Sequence, residues 1–227
     1  MALRTKQTFP KWNIGVYSVP MDFARPVEAV VGGAQGRLLA VLVKITAPLT
    51  LRRLASLAGV SPAQASRVMP RLVELGIVDR HEVPPASQFV LARDNVAAQL
   101  LLDLADARSM ALRQIGEAAS AISPEAVSVI AFGSFARGEA GAESDIDLAV
   151  VRADDVDDDD ERWADSIDVW RRQVRAITGN DVEIVEATIS EAARKLRGRS
   201  ELWRNIDREG TVVYGQALDE LTERVDA

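Results

Sequence analysis

A chain of 227 residues is long enough for one large domain or two small ones, each able to bury its own core. Its 48% hydrophobic, 27% charged and 5% aromatic residues form an ordinary globular composition, which excludes bulk disorder. With no Cys and a single His, a disulfide framework, a thiolate metal site and a histidine cluster are all excluded, and a reducing, cytoplasmic location is expected.

The formal net charge of −7 is unevenly divided. Residues 1–95 hold 12 basic and 6 acidic side chains, a balance of +6, whereas residues 96–227 hold 15 and 28, a balance of −13. The basic half has the sign needed to meet a phosphate backbone; the acidic half repels nucleic acid unless metal ions intervene. Met1 to Lys11 is polar, without the apolar core of a secretory signal. The strongest apolar run, Leu38 to Val43, is closed by Arg37 and Lys44 and falls far short of the roughly 20 residues that span a bilayer. No membrane role is expected.

After an N-terminal extension over residues 1–22, a compact helical unit with a small hairpin is predicted over residues 23–95. A lead-in carries Val27, Val30 and Val31, then a helix carries Leu38, Leu39, Val41, Leu42 and Ile45 until Pro48 stops it. A short helix follows Thr50, with Leu51, Leu54, Ala55 and Leu57 apolar, and ends at Ala58-Gly59-Val60. The next begins at Ser61, with Pro62 in the first helical position and Gln64 where a capping box wants Glu or Gln. Val68, Leu72 and Leu75 form its apolar face, and Gly76 suits its end. Strand-like segments at Ile77–Glu82 and Gln88–Ala92 close the unit.

This order, through residues 50–80, resembles the winged helix-turn-helix of MarR- and ArsR-type regulators. The resemblance implies that the helix starting at Ser61 turns Gln64, Ser66, Arg67 and Arg71 toward a DNA major groove, with Arg80 and His81 near the wing. Pro70 disagrees with that pattern: it removes the hydrogen bond to the Ser66 carbonyl and is expected to kink the helix. The alternative is a folding or dimerisation module that never touches DNA. Residues 96–122, with Leu100, Leu101, Leu104, Met110, Leu112 and Ile115, are expected to form one linking helix that also suits a homodimer seam.

Beyond Ser123-Pro124 the chemistry begins. Val127–Phe132 reads as a strand, Gly133-Ser-Phe-Ala-Arg-Gly138 as a turn with one or two helical turns, and Ser144-Asp-Ile-Asp-Leu148 as a lead into a second strand. Alternation puts Asp145 and Asp147 on one face, roughly 6.5–7 Å apart. Two hard carboxylates with open positions suit Mg²⁺, with Mn²⁺ as a substitute, bridging to substrate phosphates. Gly133 permits close backbone approach, Ser134 offers a hydroxyl and an N–H to a phosphate, and Arg137 adds positive charge. Metal-binding carboxylates beside a phosphate-gripping turn are what attack on a nucleotide phosphorus requires.

GSFARGEAGAESDIDLAV at residues 133–150 resembles the GS-x-x-R-G…S-D-x-D signature of minimal nucleotidyltransferases of the DNA polymerase β superfamily, with every signature position present. The resemblance, spanning about residues 124–216, implies transfer of a nucleoside monophosphate from an NTP, ATP foremost, with pyrophosphate leaving. It also implies a third carboxylate on a neighbouring strand. Val182-Glu183-Ile184 fits, with Glu where Asp is more frequent, and Asp181 is the understudy on the same face.

Between the strands, Trp163, Ile167, Trp170, Val174 and Ile177 recur at helical spacing as a core face. The run Asp154–Glu161, with six Asp, reads as a solvated loop leading into the positive end of that helix rather than a metal site. A helix over Leu202–Glu209 and a strand over Thr211–Tyr214 close the domain, and residues 217–227 form a charged helix or tail. The glycine-rich Gly32–Gly36 lacks the Lys-Ser/Thr of a P-loop, and His81 has no carboxylate partner in sequence to make it catalytic.

The expectation is therefore an α+β chain of two domains: a winged helix-turn-helix, and over residues 123–216 a nucleotidyltransferase fold with a small mixed sheet flanked by helices. Asp145, Asp147 and Glu183 are the expected catalytic and metal-binding residues, and Gly133, Ser134 and Arg137 the nucleotide-binding ones. The acceptor class, whether protein, RNA or small molecule, is left open. Two alternatives are a transcription regulator whose transferase fold only senses nucleotide, and one arm of a toxin–antitoxin or defence system.

Overall fold

The computed structural model describes residues 20–157, 159–198 and 200–221. Its first part packs helix α1 (Pro26–Val30) on α2 (Gly33–Lys44), followed by strand β1 (Leu49–Thr50), α3 (Leu51–Leu57), α4 (Pro62–Glu74), β2 (Val78–His81) and β3 (Gln88–Leu91). The local chemistry fixes these boundaries. Thr50 accepts a hydrogen bond from the Arg53 N–H at the head of α3, and a reciprocal Ser61–Gln64 capping box opens α4. α4 continues through Pro70 as a single helix, with Pro70 exposed.

The three strands form an antiparallel sheet in the order β1-β3-β2, with Leu49 opposite Phe89 and Val78 opposite Leu91. Leu38, Leu42, Leu54, Met69, Leu72, Val78 and Leu91 are buried together beneath it.

The expected single linking helix over residues 96–122 is two: α5 (Val96–Ala105) and α6 (Ala107–Ala119), interrupted at Asp106. The reason is a change of core. Ala98 of α5 is buried with the first cluster, against which Leu101, Leu102 and Leu104 also pack, whereas Ala111, Ile115 and Ala119 of α6 are buried with a second. Phe23, expected to begin the first unit, also belongs to the second core, where its ring meets Phe135 edge-on at 5.0 Å. Met21 is tied there as well, since its N–H donates to Asn180 Oδ1 at 3.0 Å.

The second sheet is mixed, in the order β6-β5-β4-β7. It comprises β4 (Ser128–Phe132), β5 (Ile146–Arg152), β6 (Val182–Thr188) and β7 (Thr211–Gly215); β5 and β6 are parallel, and β4 is antiparallel to both β5 and β7. Short α7 (Gly133–Arg137) joins β4 toward β5, α8 (Glu161–Thr178) joins β5 to β6, and α9 (Ile189–Arg197) and α10 (Glu201–Glu209) precede β7.

Alternation divides the two faces. Val129, Ala131, Ile146, Leu148 and Val150 face α6 and α8 with Trp163, Ile167, Trp170 and Val174, while Ile130, Phe132, Ala149 and Val151 face Ala192 of α9 and Trp203 and Ile206 of α10. The expected charged tail is partly apolar: residues 218–221 are helical, and Leu218 and Leu221 are buried against this second face. Residues 1–19 of the expected extension and 222–227 of the tail lie outside the described residues. Among the described residues no helix is long and apolar enough to cross a membrane.

Trp170 is 1% exposed and its indole N–H donates to the Ile115 carbonyl at 3.3 Å, so it joins α8 to α6. Trp170→Ala is expected to cost about 3–5 kcal/mol in urea unfolding, whereas Val169→Ala on the exposed side should change stability by about 0.5 kcal/mol or less.

Candidate active site at the start of strand β5

Asp147 is the second residue of the central strand β5, opposite Phe132 of β4 on one side and beside Glu183 of parallel β6 on the other. By alternation it shares the face of Ala149 and Val151, and its register partner Glu183 projects to that same side. Asp145 lies just before the strand, exposed, as is Glu183, while Asp147 is half-buried. Burial raises the Asp147 pKa above the ordinary carboxylate value; the negative charges of Asp145 and then Glu183 raise it further, and Arg137 opposes them. Asp145 and Glu183 are therefore both within electrostatic reach of Asp147.

They do not form a ready-made cage: among the described residues no three His, Asp or Glu side chains converge as a metal cluster. The carboxylate oxygens of Asp145 and Asp147 are hard donors of the kind Mg²⁺ takes, through one or two carboxylates with water and substrate phosphates completing its shell. Asp181 stands apart from the group. It precedes β6 and its carboxylate pairs with Arg175 of α8 at 3.0 Å, while its carbonyl accepts from the Ile146 N–H at 2.8 Å.

Gly133 has φ of +66°, and a Cβ placed there would come within 2.2 Å of Asp147 Oδ2. The turn thus needs glycine twice, for its left-handed backbone and for the space Asp147 fills. α7 begins at this glycine with no side-chain cap, so the N–H groups of its first turn have no side-chain acceptor. Ser134 is half-buried beside it, and its carbonyl accepts from the Glu139 N–H at 2.8 Å, folding the chain back after Gly138.

Arg137, expected to offer charge to phosphate, is engaged by two carboxylates, Glu139 and Glu209, each at 2.8 Å. Sequence reasoning missed Glu209, which comes from the end of α10, 72 residues away. It also missed Arg108 of α6, whose Nε donates to the Phe135 carbonyl at 2.7 Å and whose terminal nitrogen donates to the Ala136 carbonyl.

Two residues of the acidic run after β5 have structural roles. Asp154 accepts from the N–H and hydroxyl of Ser190 at the head of α9, at 2.9 and 2.8 Å, and Asp160 caps α8 through the Arg162 and Trp163 N–H groups. These bonds hold both carboxyls below their ordinary pKa.

The residues expected at a DNA surface are all exposed, on α4 and β2. Most are in local contacts: Gln64 in the capping box, Arg67 on the Ala63 carbonyl, Arg71 with Glu74 at 3.1 Å, and Arg80 with Glu82 at 2.7 Å and Ser87 at 3.2 Å. Ser66 lines a groove of about 850 Å³ between α4 and the β2–β3 hairpin, with Met69, Pro70 and Phe89.

Residues 112–206 match the family model of the nucleotidyltransferase domain. A solved toxin–antitoxin structure with AMP-PNP is 20% identical, with a TM-score of 0.36, over 51% of this chain and 83% of that one. A variant of the toxin–antitoxin MntA–HpeT is 17% identical, with a TM-score of 0.35, over the same shares. No curated protein matches the chain. Residues 112–206 are a nucleotidyltransferase domain.

The raised Asp147 pKa has a defined consequence. The folded chain keeps this proton at pH values where the unfolded chain has lost it, so its contribution to stability falls as pH rises from the ordinary aspartate range through the raised value. Asp147→Asn is therefore expected to melt above wild type at pH 7 in the presence of a chelator. The advantage should vanish below the ordinary aspartate value of about 3.9. Calorimetry across that range checks the sign, and a lower neutral-pH melting temperature for Asp147→Asn contradicts it.

Proposed function

We propose that this domain transfers a nucleoside monophosphate from an NTP, ATP foremost, to an acceptor hydroxyl, and that residues 23–95 act as a DNA-binding winged helix-turn-helix. The observation that carries the first part is the packing of Asp147 onto Gly133, which sets a repelled, half-buried carboxylate directly against the turn of the matched family.

Asp145 and Asp147 hold Mg²⁺ or Mn²⁺ in this reading, with Glu183 as the third carboxylate. The cation, when bound, neutralises phosphate charge and orients the triphosphate for in-line attack. Gly133 and Ser134 hold the triphosphate through the uncapped N–H groups of α7 and the Ser134 hydroxyl. Glu183, exposed at the edge strand, assists in taking the proton of the attacking hydroxyl in this reading. Arg137, held by Glu139 and Glu209, keeps positive charge near Asp147.

Support for the DNA-binding part is the +6 balance of residues 1–95 together with the exposed Gln64, Ser66, Arg67, Arg71 and Arg80. The helix–strand–helix–helix–hairpin order supports the reading of α4 as a recognition helix and of the hairpin as a wing. A dimer through α5 would set two such helices on two half-sites.

Incubation with labelled NTPs and Mg²⁺ against protein, tRNA and small-molecule acceptors tests the chemistry. Asp145→Ala combined with Asp147→Ala is expected to lower labelling by about a hundredfold or more; equal labelling overturns the assignment. For the other half, duplex DNA should bind with a steep salt dependence, and Arg67→Ala with Arg71→Ala should weaken binding and reduce the salt slope by about 2. A flat salt response overturns it.

A further inference from the structure

We infer that Arg108 is a positioning residue for the nucleotide-gripping turn, acting on α7 from outside the signature. The inference rests on the transferase reading of Gly133 and Ser134 for its functional meaning, and on geometry alone for its structural part.

A helix of five residues is too short to stand by itself, and its last carbonyls have no partners within it. Besides the Glu139 N–H on the Ser134 carbonyl and the ion pairs of Arg137, three contacts hold α7. Phe135 is buried beneath it against Phe23, Gly138 closes its end by donating to the Phe135 carbonyl at 3.1 Å, and the Arg108 guanidinium donates to the carbonyls of both Phe135 and Ala136. The planar fork of Arg meets two successive carbonyls at once, and its charge sits at the negative end of the helix. Arg108 also lies along Gly138, with its Cδ 3.7 Å from the position a Cβ would take there.

The consequence is a division of labour along five residues. The C-terminal carbonyls of α7 are anchored by Arg108, while its N-terminal N–H groups are left without side-chain acceptors, at the glycine against which Asp147 packs. Removing the anchor leaves the turn able to tilt, which misplaces those N–H groups relative to Asp147 without touching either. Arg108 itself is fixed by its place in the chain. It is the second residue of α6, two past the interruption at Asp106, where the helix packed on the first core gives way to the one packed on the sheet.

The test uses the full chain with Arg108→Ala and Arg108→Lys. Hydrogen exchange of the amides of residues 133–138 is measured without nucleotide, and the Kd of a fluorescent, non-hydrolysable ATP analogue is measured with Mg²⁺. Loss of two charge-assisted bonds is expected to raise both exchange rate and Kd about tenfold in Arg108→Ala, with exchange in β5 unchanged and Arg108→Lys in between. Unchanged exchange, or an unchanged Kd for an analogue that wild type binds, overturns the inference. Should Arg108→Ala not fold, Arg108→Lys decides by the same readings, and values equal to wild type overturn it. If wild type binds no nucleotide, the transferase reading fails, and the exchange of the nucleotide-free proteins still decides whether Arg108 holds the turn.

Discussion

Like charges repel, and the start of the β5–β6 pair sets Asp147 and Glu183 side by side in register with Asp145 two residues away. Parallel pairing leaves them no choice of face, because register partners project to the same side. The strands are committed by what lies further along them: Leu148, Ala149, Val150 and Val151 are all buried, between α6 and α8 on one face and α9 and α10 on the other. A two-sided hydrophobic core thus holds together an arrangement that the carboxylates alone would disperse.

The surroundings moderate the repulsion without cancelling it. Arg137 lowers the Asp147 pKa, but burial and the two neighbouring acids outweigh it, and Glu139 and Glu209 hold the guanidinium. In the proposed reading a divalent cation would relieve the remainder, so that residues which destabilise the fold at neutral pH would suit a metal-dependent transfer. Stability given up at the strand end is recovered in the apolar faces. Asp154 and Asp160 show the contrast. Each accepts backbone N–H bonds at a helix start and is held ionised as a structural group.

The signature turn and its aspartates were legible because their information is local: a Gly-Ser pair after an apolar strand, then two acids alternating with two apolar residues. The reason for Gly133 was only half legible. Its backbone freedom could be anticipated, but the approach of Asp147, 14 residues on, is a tertiary contact. Alternation alone set Asp181 and Glu183 on one face; the ion pair with Arg175 and the register with Asp147 distinguish them. The interruption at Asp106 has neither Gly nor Pro to announce it, since it follows from two cores competing for one apolar stretch. Helix α9 was readable and was missed: Thr188 and Glu191 stand at capping-box spacing and do form that box. Arg108 carried no signal, because its partners are backbone carbonyls 27 and 28 residues away.

The central claim is that Asp145 and Asp147 share a divalent cation with the phosphates of a nucleotide seated on Gly133 and Ser134. A crystal structure with Mn²⁺ and a non-hydrolysable NTP, located by anomalous scattering, tests it most directly. The account predicts a manganese peak about 2.1 Å from oxygens of both aspartates, with triphosphate oxygens against the first N–H groups of α7. Manganese bound instead along the Asp154–Asp160 segment, or a nucleotide bound away from Gly133, would contradict it.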